Sequence, residues 1–185
     1  MDQSAPAPDS RAPADERTTI PTSRQVAVRT APAAAVAVIG IPMIVWLLVN
    51  ATGEMTIWWL PVLIFALLGL SALVLHFVQA PRPRFDKRIS TREVIRTLSY
   101  ARRSGTLPTD PRVRTAAGVF ACGDVETLVM IAACLIGGAL AVLIRPEFAW
   151  VEAGLFPAVI ALIFTFKARL GCPYLKVLHS ASQAG

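Results

Sequence analysis

Residues 99–120, SYARRSGTLPTDPRVRTAAGVF, form a basic stretch that Gly and Pro interrupt and that lies between long apolar segments. Shortly before it, Ser90 precedes Glu93 by three residues, which is the spacing of an N-terminal capping box. Gly105 stands where a helix would stop, and the Thr-Asp-Pro sequence at 109–111 offers an N-cap and a first helical proline. The stretch therefore predicts two short helices joined by an elbow.

Each of these two helices carries one apolar stripe and one basic face. The stripes are Val94, Ile95, Leu98 and Ala101 in the first helix, and Val113, Ala116, Ala117 and Phe120 in the second. The other faces carry arginines that we predict to contact anionic lipid headgroups or a protein partner: Arg92, Arg96, Arg103, Arg112 and Arg114. Two short helices cannot form a core alone. We therefore expect the hairpin to rest on the membrane surface or on the helix bundle, or to dock a partner, and these roles are compatible.

Four apolar runs lie outside the basic stretch: residues 33–51, 57–79, 127–144 and 149–166. Only the last contains a charged residue, Glu152. At 1.5 Å per residue each run spans roughly 27–34 Å, enough for a hydrocarbon core of about 30 Å. With 55% hydrophobic residues and a mean hydropathy of +0.57, the chain is too apolar for a soluble domain of its size. The sequence predicts an all-α membrane protein with four transmembrane helices in two antiparallel hairpins.

The predicted organisation has five parts. Residues 1–30 are rich in Pro, Ala, Ser and mixed charge, and so predict a disordered cytoplasmic tail. Residues 31–80 form the first transmembrane hairpin, residues 81–124 a basic cytoplasmic amphipathic helical hairpin, and residues 125–167 the second transmembrane hairpin. Residues 168–185 complete the chain as a cytoplasmic tail.

The distribution of Lys and Arg predicts the orientation in the membrane. The two tails and the central insert hold 17 of these residues, whereas the outer links hold only Arg145. All four tryptophans lie at the predicted outer ends of their helices. Both termini are thus predicted to be cytoplasmic. The net charge of +6 is explained by topology and by attraction to anionic lipid, so no nucleic-acid partner is predicted. The excess of Arg over Lys, with abundant Ala and Pro, favours a high-GC bacterial genome and a bacterial plasma membrane.

The segment RSGTLPTDPRVRTAA, with its GxLPxDPxVR core at residues 105–114, resembles a segment of small, uncharacterised four-span integral membrane proteins of actinobacteria. Those proteins resemble this chain in having their spans arranged around a similar cytoplasmic insert. The resemblance covers about fifteen residues and the overall plan. It implies the architecture and the bacterial host, and it implies no catalytic residue.

Glu152 and His76 are the candidate polar residues within the spans. A carboxylate inside a span could bind a proton and a cation in turn, although Glu152 lies near the outer end of its helix and could simply meet water. His76 could titrate near neutral pH, or it could reach the headgroups. The three cysteines are too scattered for a metal or redox site, and no catalytic motif is present. Neither an enzyme activity nor a cofactor is predicted.

Small residues recur at four-residue spacing in the third and fourth predicted spans: Ala133, Gly137, Ala141, Gly154 and Ala158. Such faces allow helices to approach closely in lipid. We predict that they pack within the bundle, or that they form the seam of a homo-oligomer or of a complex with another membrane protein.

Two function classes remain open. The first is a non-enzymatic accessory or scaffold subunit that acts through the basic hairpin and the helix-packing faces. The second is a small proton-coupled transporter or channel subunit that uses Glu152. A membrane-perturbing, holin-like protein is a third class, for which the sequence offers no specific feature.

Overall fold

The computed structural model describes residues 20–49, 60–78, 89–148 and 150–183, and every regular element in those ranges is an α-helix. The helices are α1, Ser23–Leu48; α2, Leu60–Val78; α3, Thr91–Ser104; α4, Pro111–Ile144; α5, Trp150–Ala168; and α6, Gly171–Gln183. The all-α class predicted from the sequence is confirmed. By length and composition, α1 and α4 could each cross a membrane.

The centre of the molecule is the pair of α1 and α4, which form the most extensive helix contact. Ile20, just before α1, meets Gly118 near the start of α4. At the other end, Nη2 of Arg145 donates a hydrogen bond of 3.4 Å to the carbonyl oxygen of Trp46. The two helices therefore run side by side in the same direction, although they are distant in sequence.

Small residues allow these two helices to approach closely. A Cβ atom at Gly137 would lie 3.0 Å from the carbonyl oxygen of Ala37, which is at the short limit of real contacts. Ala133 and Ala141 are buried on the same face of α4, and Ala33 is buried on α1. Close backbone approach of this kind is the usual basis of helix packing in lipid.

α2 and α5 flank this central pair. α2 runs antiparallel to α1, because Leu67 packs against Gly40 and Ile64 packs near Val45 at the end of α1. α5 packs on α4 and follows it after the short link 145–149. The helices are thus arranged in the order α2, α1, α4, α5.

The elbow between α3 and α4 has the start and stop geometry that the sequence predicts. The Ser90 hydroxyl accepts a hydrogen bond of 3.2 Å from the backbone N–H of Glu93. Gly105 ends α3 with φ of 68°, the left-handed conformation that glycine adopts without strain. The Asp110 carboxylate accepts a bond of 2.8 Å from the backbone N–H of Arg112, with proline at the first helical position. Both predicted helices of this hairpin are confirmed.

The predicted disordered tail, residues 1–30, overlaps an observed helix, because residues 23–30 are helical. α1 already begins at Ser23, where Thr22 and Gln25 form a reciprocal capping box with bonds of 3.2 and 2.9 Å. Ile20 and Val26 are buried, which holds this segment against the rest of the chain. Residues 1–19 lie outside the described residues.

After residue 110, the observed helices cross one predicted boundary and add a helix within the predicted C-terminal tail. α4 is one unbroken helix of 34 residues that passes through the boundary predicted at residues 124–125. The predicted tail, 168–185, contains the 13-residue helix α6. This helix forms because it buries Tyr174 and Leu175 in a core that local sequence patterns do not reveal.

Candidate functional site

A second apolar core lies at the end of the molecule where α1 and α4 begin. We call the part that encloses it the cap, which consists of α3, residues 111–125 of α4, and α6. Ile20 and Val26 also enter this core. The buried side chains from the cap helices are Val94, Leu98, Ala101, Ala116, Ala117, Ala121, Cys122, Val125, Tyr174 and Leu175. Helices too short to be stable alone are thus stabilised by one shared core.

α6 closes the cap against both α3 and α4. Tyr174 is fully buried, and its hydroxyl donates a hydrogen bond of 3.1 Å to the carbonyl oxygen of Arg114. Gly171 begins the helix in close contact with α4, where a Cβ atom would lie 2.7 Å from the carbonyl oxygen of Ala121. A side chain at residue 171 would force the two helices apart.

The apolar stripe of α3 faces the cap core. Val94, Leu98 and Ala101 are at most 1% exposed, whereas Ile95 is 45% exposed and lies off this face. An amphipathic helix lying on a membrane would need the stripe free to enter the lipid. In the cap, the same stripe is covered by protein.

The five predicted arginines all belong to the cap, but they do not form one cluster. Arg92 and Arg96 lie in the first half of α3, while Arg103, Arg112 and Arg114 lie beside the elbow. All are exposed except Arg114, which is partly buried. Nη2 of Arg114 donates a hydrogen bond of 3.3 Å to the carbonyl oxygen of Thr109, so this side chain helps to fix the elbow.

The elbow, residues 105–110, is held by its own hydrogen bonds. The hydroxyls of Ser104 and Thr106 are 2.8 Å apart, and the backbone N–H of Thr106 donates to Ser104 Oγ at 3.3 Å. Leu107 packs against the cap core. The elbow therefore fixes the two helix ends that carry the neighbouring arginines.

Two acidic residues at the junction of the cap and the helix bundle were missed by the sequence reasoning. Burial raises the pKa of Asp124 to about 6, and its Oδ2 atom has no hydrogen-bond partner among the described residues. Glu126 is 7% exposed. The available signal was their position: both carboxylates lie just before the uncharged run that begins at residue 127, on the predicted side where Lys and Arg are concentrated.

The two predicted intramembrane polar residues lie far apart. His76 is exposed near the end of α2, where its ring packs edge-on against Phe77 at a centroid distance of 5.9 Å. Glu152 is near the start of α5, and its side chain lies outside the described residues. Because α2 ends towards the cap while α5 begins beside the far end of α4, these residues do not share a site.

The small residues predicted to pack have different surroundings in α4 and α5. Ala133, Gly137 and Ala141 are buried on the α4 face that carries the close contact with α1. Ala158 is exposed on α5. The surroundings of Gly154 lie outside the described residues. The α4 positions are thus used within the chain, and Ala158 is available to lipid or to another chain.

Large apolar side chains are exposed along the helices of the bundle outside the cap. On α2 they include Phe65 and Phe77, at 71% and 78% exposure, and on α5 they include Leu162 and Phe166. Leu143 of α4 is 77% exposed. Large apolar side chains exposed on several helices of one bundle indicate a surface that meets lipid or another protein chain. We call this surface the apolar belt.

Among the described residues, no group of three or more His, Cys, Asp or Glu side chains could hold a metal ion. No protein-family model, curated protein or solved structure matches this chain.

Proposed function

We propose that the chain is a four-span protein of a bacterial plasma membrane and a non-enzymatic accessory or scaffold subunit. In this proposal α1, α2, α4 and α5 cross the bilayer, and the cap and both termini are cytoplasmic. The arginine faces of the cap are the surface that acts on partners. We also propose that the chain is related to the actinobacterial membrane proteins whose cytoplasmic insert its GxLPxDPxVR segment resembles.

The apolar belt supports the placement of four helices in lipid. α2 and α5 each have 19 residues, or about 28 Å at 1.5 Å per residue, close to the thickness of a hydrocarbon core. Exposed apolar surface costs about 25 cal/mol per Å² in water, so side chains such as Phe65 and Phe77 would be a heavy penalty for a soluble protein. Lipid removes that penalty.

The parallel arrangement of α1 and α4 supports the proposed topology. Both helices begin at the cap, and both end where Arg145 meets Trp46. A chain with a cytoplasmic N-terminus and a cytoplasmic insert requires this direction for both spans. In the proposed topology the basic residues of the cap lie on the cytoplasmic side, which is the side that the distribution of Lys and Arg predicts.

The observation that carries the accessory role is the cap itself. Most of its apolar residues are buried in a shared core, and its exposed surface includes Arg92, Arg96, Arg103 and Arg112. Arg is enriched at protein interfaces and pairs well with carboxylates and phosphates. A folded basic domain on a membrane anchor has the form of a docking module.

Purification of the tagged protein from its host in nanodiscs, followed by native mass spectrometry, tests the accessory role. The test variant changes Arg92, Arg96, Arg103 and Arg112 to Gln, and keeps Arg114 because its hydrogen bond supports the elbow. We expect a different protein to be recovered at fixed stoichiometry with the parent chain and lost with the variant. A control variant with Lys167, Arg169 and Lys176 changed to Gln should retain it. Recovery of the parent as a lone homo-oligomer would contradict the accessory role.

A small proton-coupled transporter or channel subunit is the second candidate. Two carboxylates of α4 favour this candidate. Glu126 is buried seven residues before Ala133, so it lies on the α4 face that packs on α1. Asp124 is next to Val125 of the cap core. Together with Glu152 near the other end of α5, they place carboxylates at both ends of the proposed spans. Buried carboxylates in spans are typical of ion pathways.

Proton flux in proteoliposomes distinguishes this candidate. Glu126→Gln and Glu152→Gln should each abolish a pH-gradient-driven flux if the chain is a transporter, while exposed Glu147→Gln should not. An absence of flux from the folded parent chain would leave the accessory role as the better proposal.

A further inference from the structure

Four arginines surround the elbow of the cap, and we call them the elbow arginines. Arg102 and Arg103 lie in the last turn of α3, and Arg112 and Arg114 lie in the first turn of α4. Arg102, Arg103 and Arg112 are exposed. The acidic residue nearest in sequence is Asp110, whose carboxylate already caps α4 by accepting from the Arg112 N–H at 2.8 Å. The elbow therefore has a net positive surface.

The elbow arginines lie far from the level at which the bundle ends. Asp124 marks that level, because Gly171, at the junction of α5 and α6, packs against it. Arg112 precedes Asp124 by twelve residues of one unbroken helix, which is about 18 Å along the axis at 1.5 Å per residue. Even if α4 were tilted by about 40°, roughly 14 Å of this height would remain.

About 5–7 Å of this height is the headgroup layer, so Arg112 lies roughly 7–13 Å beyond the headgroups, whose attraction for exposed charges weakens over this distance. At physiological ionic strength the attraction is screened within about 8 Å. Arg92 and Arg96 belong to the other end of α3, next in sequence to the link from α2, and we expect this end to lie closer to the leaflet because α3 packs back alongside α4 after the elbow. The arginines of the cap are thus divided into a pair near the membrane and a cluster that faces the cytoplasm.

The surface around the elbow has the composition of a protein interface. Tyr100 is 60% exposed and precedes Arg103 by three residues, so the two side chains are neighbours on α3. Exposed Tyr and Arg are the residues that most often supply binding energy at protein interfaces. The affinity of a protein for a nucleic-acid duplex depends on how many phosphates its cations neutralise, and the exposed elbow arginines are only Arg102, Arg103 and Arg112.

We propose that the elbow arginines and Tyr100 form a docking site for an acidic segment of a cytoplasmic protein, while Arg92 and Arg96 face the anionic leaflet. This proposal rests on the membrane placement given under the proposed function. It adds that the partner is a protein rich in carboxylates, and that this protein and the lipid headgroups contact different arginines of the cap.

Depth measurements on the full chain in nanodiscs test the height argument. Bimane is attached to Cys introduced at Thr91, Ser104 or Leu143, and the signal from the native cysteines is subtracted. The nanodiscs contain phosphatidylcholine, phosphatidylglycerol and lipids spin-labelled either at the headgroup or on the acyl chain. We expect acyl-chain labels to quench residue 143, headgroup labels to quench residue 91, and neither to quench residue 104.

The two proposals fail in different ways in this experiment. If residue 143 is not quenched by acyl-chain labels, the membrane placement is wrong. If residue 143 is quenched but headgroup labels quench residue 104 as strongly as residue 91, the membrane placement stands and the separate cytoplasmic docking site is overturned.

Binding of a short fluorescein-labelled oligoglutamate peptide tests the occupant, with the chain in nanodiscs of phosphatidylcholine alone. The elbow variant changes Arg102, Arg103 and Arg112 to Gln, and the matched control changes Arg92, Arg96 and Lys176 to Gln. At physiological salt we expect fluorescence anisotropy to show affinity reduced about tenfold or more in the elbow variant and by less than about twofold in the control. A further variant, Tyr100→Ala, should also bind more weakly although its charge is unchanged.

Three results would contradict the proposal that an acidic protein segment binds at the elbow. Equal losses in the elbow variant and in the control would show that only net charge matters. Tighter binding of a DNA duplex of the same charge would identify nucleic acid instead. Binding that appears only after residues 2–18 are deleted would make the chain's own N-terminal segment, with Asp2, Asp9, Asp15 and Glu16, the occupant.

Discussion

Adjacent glycines in α4, Gly137 and Gly138, have different roles because they lie on different faces of one helix. A Cβ atom at Gly137 would meet the Ala37 carbonyl oxygen at 3.0 Å and Ile41 at 3.3 Å. A Cβ atom at Gly138 would meet nothing within 4 Å. A change from glycine to alanine therefore tests the α1–α4 contact at residue 137, and the same change at residue 138 is a matched control.

Gly137→Ala should destabilise the protein, and Gly138→Ala should leave it unchanged or slightly more stable. The added methyl at residue 137 pushes against backbone, so we expect a loss of about 1–3 kcal/mol. Alanine at residue 138 has space and favours the helix. Thermal unfolding of both variants in one detergent, followed by tryptophan fluorescence, compares them. Equal melting temperatures would mean that α1 and α4 do not approach as described.

The Asp124 carboxyl group shows how burial changes the protonation of one residue. It lies outside the apolar run that begins at residue 127, and burial raises its pKa from 3.8 to about 6. The folded chain therefore binds this proton more tightly than the unfolded chain. Stability should fall as the pH rises from 3.8 to about 6, and the loss should persist at higher pH.

Asp124→Asn should stabilise the protein at pH 7.5 and have little effect at pH 4. Because Asp124 is only about half buried, solvent screening reduces the expected gain to about 1 kcal/mol. Melting temperatures of the parent and the variant, measured across this pH range, give the difference. A difference that is constant with pH would exclude titration of Asp124 as its cause.

Among the helices, α6 shows how an element can be stabilised by contacts from elsewhere in the chain. Its 13 residues are at the lower limit of independent helix stability. Tyr174 and Leu175 enter the cap core beside residues of α3 and α4, and the Tyr174 hydroxyl satisfies a backbone carbonyl of α4. The cap is therefore a cooperative unit of three helices, and the loss of one should expose the others.

Leu175→Ala should open the cap, while exposed Lys176→Ala should not. Removing a fully buried leucine costs about 2–5 kcal/mol, a large part of the stability of such a small core. Limited trypsin digestion reports the effect, because Arg102 and Arg103 at the end of α3 should be cleaved faster when α6 detaches. If both variants are cleaved at the same rate as the parent, α6 does not support the hairpin.

At the scale of the whole molecule, the direction of the helices and the position of the charges agree. α1 and α4 begin at the cap, where the basic residues are concentrated, and end beside Arg145 at the far end. The proposed topology puts the link 145–149 outside the cell and the elbow inside it. Exposed residues in each segment allow the two sides to be labelled separately.

Glu147→Cys should react with a membrane-impermeant maleimide in intact spheroplasts, and Ser104→Cys should react only after permeabilisation. Both positions are exposed in the described structure, so a lack of reaction would reflect the membrane and not burial. The parent chain, with its native cysteines, provides the background. Labelling of Ser104→Cys from outside would invert the proposed topology.

The local elements of this protein are determined by the sequence. The elbow was predictable because Ser90, Gly105 and Asp110 satisfy or release backbone groups within one helical turn, as they do in the structure. The pairing of α1 with α2, and of α4 with α5, follows from short links. Charge counts and apolar runs predict the spans and their orientation, since both depend on composition and not on contacts between distant residues.

Only the tertiary structure decided which distant surfaces meet. The α1–α4 contact depends on the fit of small faces around Ala37 and Gly137, and many apolar helices could offer such a face. α6 and the buried state of Asp124 likewise depend on neighbours far away in sequence. The proposed division of the cap arginines into two groups rests on α4 continuing unbroken beyond the bundle. Local patterns specify helices and their ends, whereas packing free energy, which is summed over distant residues, selects their partners.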